Sequence, residues 1–262
     1  MKQQFLFFLF FFSAALPCVW AQNNVSSFQL DAPQLQTSKK IWLYLPKNYA
    51  HSTKKYPVLY MHDAQNLFDA STSYAGEWRV DETLDSLKAE VIVVGIAHGN
   101  EKRIDELTPF KNEQYGGGKG TQYLDFIISQ LKPYIDAHYR TKSGKYNTAI
   151  GGSSLGGLIS YYAVVKYPDV FGKALVFSPA FWINPELYAE TEKINTLKSK
   201  IYFMCGDSES DNMVSDMERM ISTLNTTRCS CLHLTKKRIV LQGKHNEKLW
   251  AKEFAKAYLW LF

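Results

Sequence analysis

The sequence predicts an α/β fold with a mostly parallel central sheet and helices on both faces, and three observations carry that prediction. Short apolar runs of strand-like composition alternate along the chain with longer segments of helical spacing. Some runs, such as Val91-Ile92-Val93-Val94-Gly95-Ile96, carry no polar side chain, which suits strands covered on both sides. Polar turns follow these runs, and right-handed crossovers bring the ends of parallel strands to one edge.

The 262-residue chain opens on Met1-Lys2-Gln3-Gln4, continues through an apolar run from Phe5 to Leu16, and turns polar at Gln22 after Ala21. A basic tip, an apolar run too short to span a bilayer and a small residue at the break mark a cleaved secretory signal. Residues 1–21 are therefore set apart as a signal peptide, and a periplasmic or extracellular location is expected. Pro17 stands before Cys18 where lipid attachment wants a small residue. Residues 22–262 hold no repeat, linker or composition break, so they are expected to form a single domain with a large buried core.

In chain order, Ile41-Trp42-Leu43-Tyr44-Leu45-Pro46 is an early strand closed by proline. Residues 56–62 form a short central strand that empties into Asp63-Ala64-Gln65-Asn66-Leu67-Phe68-Asp69. Val80, Leu84 and Leu87 place a helix over 78–87, and the strand 91–96 follows. The polar stretch 98–120 is expected to be a long functional or mobile loop. Tyr123, Phe126, Ile127, Leu131 and Tyr134 mark a helix, 145–150 a strand and 158–165 another helix. Strands are expected at 173–178, 200–205 and 238–241, with apolar-faced helices at 213–224 and 249–262.

Between the strand 145–150 and the helix 158–165, Gly152-Ser153-Ser154-Leu155-Gly156 fits G-x-S-x-G. Small neighbours in that motif let a strained turn lift one hydroxyl clear of the backbone, and the strand, turn and helix it requires are present. Ser154 is the candidate nucleophile. A serine hydroxyl needs a base to take its proton and a third group to hold the base, in the chain order Ser, acid, His. His245, between the last strand and the last helix, is the candidate base. The acid is expected in Gly206-Asp207-Ser208-Glu209-Ser210-Asp211, with Glu209 preferred, Asp207 second and Asp211 third. Oxyanion-binding N–H groups are expected from Leu155 and from Ala64, with Gln65 as the alternative to Ala64. His62, Gln65, Phe181 and Trp182 are the candidate substrate-binding residues, His62 by shaping the pocket beside the elbow and the two aromatics as a platform for a sugar ring or a phenolic acyl group.

Tyr44-Leu45-Pro46, the run from Tyr56 to Asp69, the elbow Gly152 to Gly157, Phe177-Ser178-Pro179-Ala180-Phe181-Trp182 and His245-Asn246-Glu247 together resemble the putative-esterase family of α/β-hydrolases. That family includes esterase D-like enzymes, siderophore esterases of the enterobactin type, and the feruloyl and acetyl-xylan esterases of carbohydrate esterase family 1. The likeness covers nearly all of the chain beyond residue 21. It implies the α/β-hydrolase fold and serine ester hydrolysis, with Ser154 and His245 matching nucleophile and base and Glu209 aligning best with the acid. Some siderophore esterases of the group are Ser-His dyads, which leaves the acid open.

The formal charge of +5 falls to +4 without Lys2, and the clusters Lys39-Lys40, Lys54-Lys55 and Lys236-Lys237-Arg238 read as solvated or edge-blocking charge. No nucleic-acid partner is expected, nor stable membrane insertion after signal cleavage. Of four cysteines, Cys205, Cys229 and Cys231 follow the signal; this odd number makes no disulfide framework and leaves the pairing of Cys229 and Cys231 open. Neither C-x-x-C nor H-E-x-x-H occurs, so neither a metal nor a cofactor is expected. The expected function is a secreted serine carboxylic-ester hydrolase working through an acyl-serine on acetyl or feruloyl esters of carbohydrate. The alternatives are a siderophore esterase, an acyltransferase on the same fold, and a catalytically silent carbohydrate-binding protein.

Overall fold

The computed structural model describes residues 24–227 and 234–262. The expected signal peptide with Cys18, and Cys229, Cys231 and His233, lie outside the described residues. The first strands are β1 (Val25–Ala32), β2 (Thr37–Tyr44) and β3 (Val58–His62), followed by α1 (Val80–Ser86) and β4 (Ile92–Ile96). Next come α2 (Arg103–Leu107), the short strands β5 (Lys111–Asn112) and β6 (Gly116–Gly117), and a helical run made of α3 (Gly120–Phe126) and α4 (Lys132–His138) joined by a π-helical turn. The second half supplies β7 (Thr148–Ser153), α5 (Leu155–Lys166), β8 (Lys173–Phe177), α6 (Glu186–Glu192), β9 (Lys200–Gly206), α7 (Met213–Thr227), β10 (Thr235–Val240) and α8 (Glu247–Leu261).

Eight strands form one sheet in the order β1-β2-β4-β3-β7-β8-β9-β10. Pairing is parallel from β4 to β10, whereas β1 with β2 and β2 with β4 are antiparallel. Alternation along β3 fixes the register: Val58 and Tyr60 enter the apolar layer shared with α3, α5 and α7, while Leu59 and Met61 enter the layer shared with α1 and α8. A slip of one residue would exchange the two layers, each apolar side chain buried this fully being worth about 1.5–3 kcal/mol. The same alternation sends His62, the last residue of β3, toward α3 and α5.

Several local expectations change. Residues 98–120 are not one loop, because they fold into α2 and the β5-β6 hairpin, where Gly116, Gly117 and Gly118 take φ of 78, 91 and 98°. Strand β7 starts at Thr148, after a 3-10 turn over Lys145–Asn147, and runs on to Ser153, immediately before Ser154. Lys39 is no solvated edge charge: its side chain is 3% exposed and its Nζ lies 2.6 Å from Glu106 Oε2.

Candidate active site

Ser154 occupies the junction of β7 and α5 at φ 58° and ψ −120°, a conformation that costs a non-glycine residue on the order of 1–3 kcal/mol. Neighbouring main chain holds it there. Its N–H donates to the Phe177 carbonyl at 3.0 Å, and its carbonyl accepts from Leu158 at 3.0 Å and Ala180 at 3.2 Å. The glycines make that packing possible: a Cβ on Gly157 would stand 2.6 Å from Phe177 O, and one on Gly152 would stand 3.1 Å from the His62 ring.

Glu209 and His245 come from the loops after β9 and β10, which meet at Gly206 and Gly243 with no room for a Cβ between them. His245 Nδ1 and Glu209 Oε2 are 2.7 Å apart. An ionised carboxylate only accepts, so Nδ1 is the donor of this bond, and in a neutral ring that leaves the lone pair on Nε2. The other oxygen, Oε1, accepts from Ser178 Oγ at 2.7 Å and from the Gly206 N–H. Ser178 Oγ accepts in turn from Trp250 Nε1 at 2.8 Å. The Glu209 side chain is fully buried and that of His245 is 34% exposed, its ring standing edge-on to Trp250. One side of the pair is thus a buried carboxylate with partners on both oxygens and the other a ring that reaches solvent.

Ser154 and His245 line one cleft of about 720 Å³ together with Gln65, Asn66, Arg103 and Trp250. Among the described residues no hydrogen bond joins Ser154 Oγ to His245, a contact that in such sites commonly tightens only around a substrate. The loop after β3, which begins beside the elbow, also lines the cleft through Asp63, Gln65 and Asn66. Asp63, at φ 57°, accepts from Arg103 Nε at 2.7 Å and Nη2 at 2.8 Å. Burial works against the Asp63 carboxylate, but the guanidinium outweighs it and holds the carboxyl below the usual range. Ala64 and Gln65 open a 3-10 turn and Leu155 opens α5, so their N–H groups have no acceptor within their own elements.

The loop is also tied sideways. Gln65 donates to the His98 carbonyl and accepts from the His98 N–H, both at 3.2 Å. Asn66 Nδ2 donates to Glu247 Oε1 at 3.2 Å, and Asn66 Oδ1 accepts from the Tyr74 N–H at 3.2 Å. Burial pushes the Glu247 carboxyl above its ordinary pKa.

Of the residues named from the sequence, Ser154, His245 and Gln65 line the cleft; Glu209 reaches it through His245, and Leu155 and Ala64 adjoin lining residues. His62, Phe181 and Trp182 are not among the lining, which departs from the expectation that they meet substrate. His62 is 1% exposed behind the elbow, with Nδ1 2.7 Å from Tyr123 Oη. Burial lowers its pKa to about 4. Phe181 is fully buried against Tyr161, a core position. Trp182 is exposed and meets Tyr115 edge-on at 5.5 Å. The Asp207 carboxylate accepts from the Gln242 N–H at 2.7 Å, linking the two loops, and Asp211 is exposed.

Sequence reading missed the supports: Arg103, Asn66 with Glu247, and Trp250 with Ser178 act across 40, 181 and 72 residues, separations at which no local pattern registers. One group of carboxylates, Glu77, Asp81 and Glu82, has oxygens within 4.8 Å of one another, and none of the three lines the cleft. Burial, then the neighbouring Glu82, raises the Asp81 carboxyl to about 7.

A family model described as Putative esterase matches residues 32–261. An uncharacterized protein, YbbA of Bacillus subtilis (strain 168), is 28% identical over 245 residues, covering 86% of this chain and 93% of the relative. An endo-1,4-beta-xylanase/feruloyl esterase of Xylanibacter ruminicola is 26% identical over 195 residues, 71% of this chain but 25% of that longer protein. Among solved structures, the enterobactin esterase FES from Shigella flexneri, 17% identical, superposes with a TM-score of 0.73 over 90% of this chain and 59% of its own. At that identity the likeness shows the fold, which is that of the α/β-hydrolases.

Proposed function

The chain belongs to the Putative esterase family of carboxylic ester hydrolases, and from that membership we propose that it is a secreted serine esterase whose nucleophile, base and acid are Ser154, His245 and Glu209. The observation that carries this reading is the 2.7 Å contact from His245 to a buried Glu209, at a ring that shares its cleft with the strained elbow serine.

In this mechanism His245 Nε2 takes the Ser154 hydroxyl proton as Oγ attacks the ester carbonyl, and Glu209 holds the imidazolium that results. The oxyanion accepts from the N–H groups of Leu155 and Ala64. Collapse of the tetrahedral intermediate breaks the bond to the alkoxy oxygen, which leaves as the alcohol with the proton from His245. Water, deprotonated by the same ring, then attacks the acyl-serine; the acyl–Oγ bond breaks, the acid leaves, and Oγ takes the proton back from His245. Loss of one oxyanion donor costs on the order of a hundredfold to a thousandfold in kcat.

The preferred substrate is an acylated carbohydrate carrying acetyl or feruloyl esters. A cleft lined by Gln65, Asn66, Thr72, Ser73 and Asn100 offers many hydrogen-bonding side chains to hydroxyl groups, and one relative is named as a feruloyl esterase. Export through the leader at residues 1–21 suits a polymeric substrate outside the cytoplasm. The test is hydrolysis of 4-nitrophenyl acetate, methyl ferulate, acetylated xylan and a ferric catecholate siderophore by the protein and by Ser154→Ala. Cleavage of any member, lost in the variant, upholds the serine mechanism, and the best substrate names the subgroup. A folded protein inert on all four, or an active Ser154→Ala, overturns it.

A further inference from the structure

We propose that the catalytic cleft continues into a second site that holds an anionic, hydroxyl-bearing part of the substrate remote from the reacting ester; the proposal rests on the esterase reading. A cavity of about 470 Å³ lies across the turn at His98 to Asn100 and is lined there by Lys40, Trp42 and Lys102. It shares Gln65, His98 and Asn100 with the catalytic cleft, so a ligand large enough to lie over that ridge occupies both. A simple acetate or ferulate ester of a small alcohol fills only the first.

The ridge and floor are fixed. Gln65 bonds the His98 main chain in both directions, and Glu106 Oε2 accepts the Gly99 N–H at 2.9 Å. Beneath them Lys39 and Glu106 form an ion pair whose side chains are 3% and 4% exposed, so those two charges cancel each other. The charges left over are Lys40 and Lys102, both exposed, and neither forms an ion pair with a carboxylate among the described residues. Lys40 Nζ sits 4.3 Å over the Trp42 ring, which directs the chain without neutralising it. Gln29, Thr37 and Ser38 add polar side chains to the lining. A concave surface with an excess of one sign raises the local concentration of the opposite one, and here that is an anion with hydroxyl groups around it. A uronic-acid branch on a sugar chain carries that chemistry; a ferric catecholate, whose catechol oxygens are deprotonated on the iron, shares the negative charge and the oxygen acceptors but not the hydroxyl groups.

The experiment compares kcat/KM on acetylated xylo-oligosaccharides with and without a glucuronic-acid branch, and on a ferric tricatecholate triester against an uncharged analogue. 4-Nitrophenyl acetate serves as the ester too small to reach the second cavity. The protein is expected to prefer at least one charged substrate over its uncharged partner, and the preference should shrink as salt is raised. The double variant Lys40→Gln with Lys102→Gln should lose roughly three- to tenfold on that substrate, as two solvent-exposed charge contacts imply, and nothing on 4-nitrophenyl acetate. The substrate that shows the effect identifies the source of the anion. Equal use of charged and uncharged partners, or an equal loss on both in the variant, overturns the second site. In that event, 4-nitrophenyl acetate hydrolysis that disappears in Ser154→Ala still upholds the esterase reading, whereas its survival in that variant overturns both.

Discussion

At Glu209 the two carboxylate oxygens have separate partners: Oε1 takes Ser178 and Gly206, and Oε2 takes His245. Glutamine has the same shape but only one acceptor oxygen. In Glu209→Gln that oxygen stays with the two donors behind it, and the amide NH₂ turns toward His245. An imidazole that must accept at Nδ1 carries its proton on Nε2, the wrong tautomer for a base acting on Ser154. The expected result is a fall in kcat of about a thousandfold or more with KM nearly unchanged, read from steady-state kinetics on 4-nitrophenyl acetate. A variant within tenfold of the parent would mean that a Ser-His dyad suffices. The sequence offered three acids in this loop and could rank them only by likeness. What separates them is burial and direction: Glu209 turns inward, Asp207 toward Gln242, and Asp211 is exposed.

Among elements, the turn from β7 to α5 depends on main chain packed against main chain. Alanine at Gly157 would gain up to about 1 kcal/mol in helix propensity, yet its Cβ would meet the Phe177 carbonyl and the Pro179 backbone, which have no rotamer to yield. Overpacking of this sort costs about 1–3 kcal/mol, so Gly157→Ala is expected to lower the urea midpoint at constant m-value. A rise in the midpoint would show the elbow to be looser than drawn. Asn66 binds three segments, the loop after β3, the strip containing Tyr74 and the first turn of α8. Asn66→Ala removes those two side-chain ties and leaves the main-chain bonds from Trp78 to the Asn66 carbonyl and from Val80 to the Leu67 carbonyl in place. Its kcat should fall by about tenfold or more through displacement of the proposed oxyanion donor at Ala64, while melting temperature changes little. The elbow was legible because a five-residue motif and its flanking apolar runs sit together in the sequence. Helix α2 and the β5-β6 hairpin were not, since five-residue and two-residue elements show no period, and Arg103 inside that stretch could not be matched to Asp63 in advance.

Across the whole molecule, the parallel sheet was readable from uniformly apolar strands, but the inward or outward placement of individual polar residues was not. His62 is the plainest case. Its motif neighbours suggested a place in the pocket, whereas the alternation along β3 carries it behind the elbow, where α3, β7 and α5 converge and Tyr123 is its partner. Burial lowers its pKa to about 4 from an ordinary 6.5, partly offset by Asp63, with Arg103 and Lys39 adding to the fall. Between those values the unfolded chain binds a proton at His62 that the folded chain refuses. The stability owed to the neutral ring is therefore complete above pH 6.5 and is lost as pH falls toward 4. At about 1.4 kcal/mol per pH unit, the loss across that window is about 3 kcal/mol. Asp81, raised to about 7, and Glu247, also raised, bind protons more readily in the folded state and so act in the opposite direction, which makes the raw pH profile a sum. Subtraction isolates His62, because His62→Asn keeps a partner for Tyr123 and cannot take up a proton. The unfolding free energy of the parent minus that of the variant should shrink by about 2–3 kcal/mol between pH 7.5 and 4.5 in urea titrations. A difference that stays constant over that interval would show that the ring titrates alike in both states, and the account of His62 as a neutral, buried prop for the elbow would fail with it.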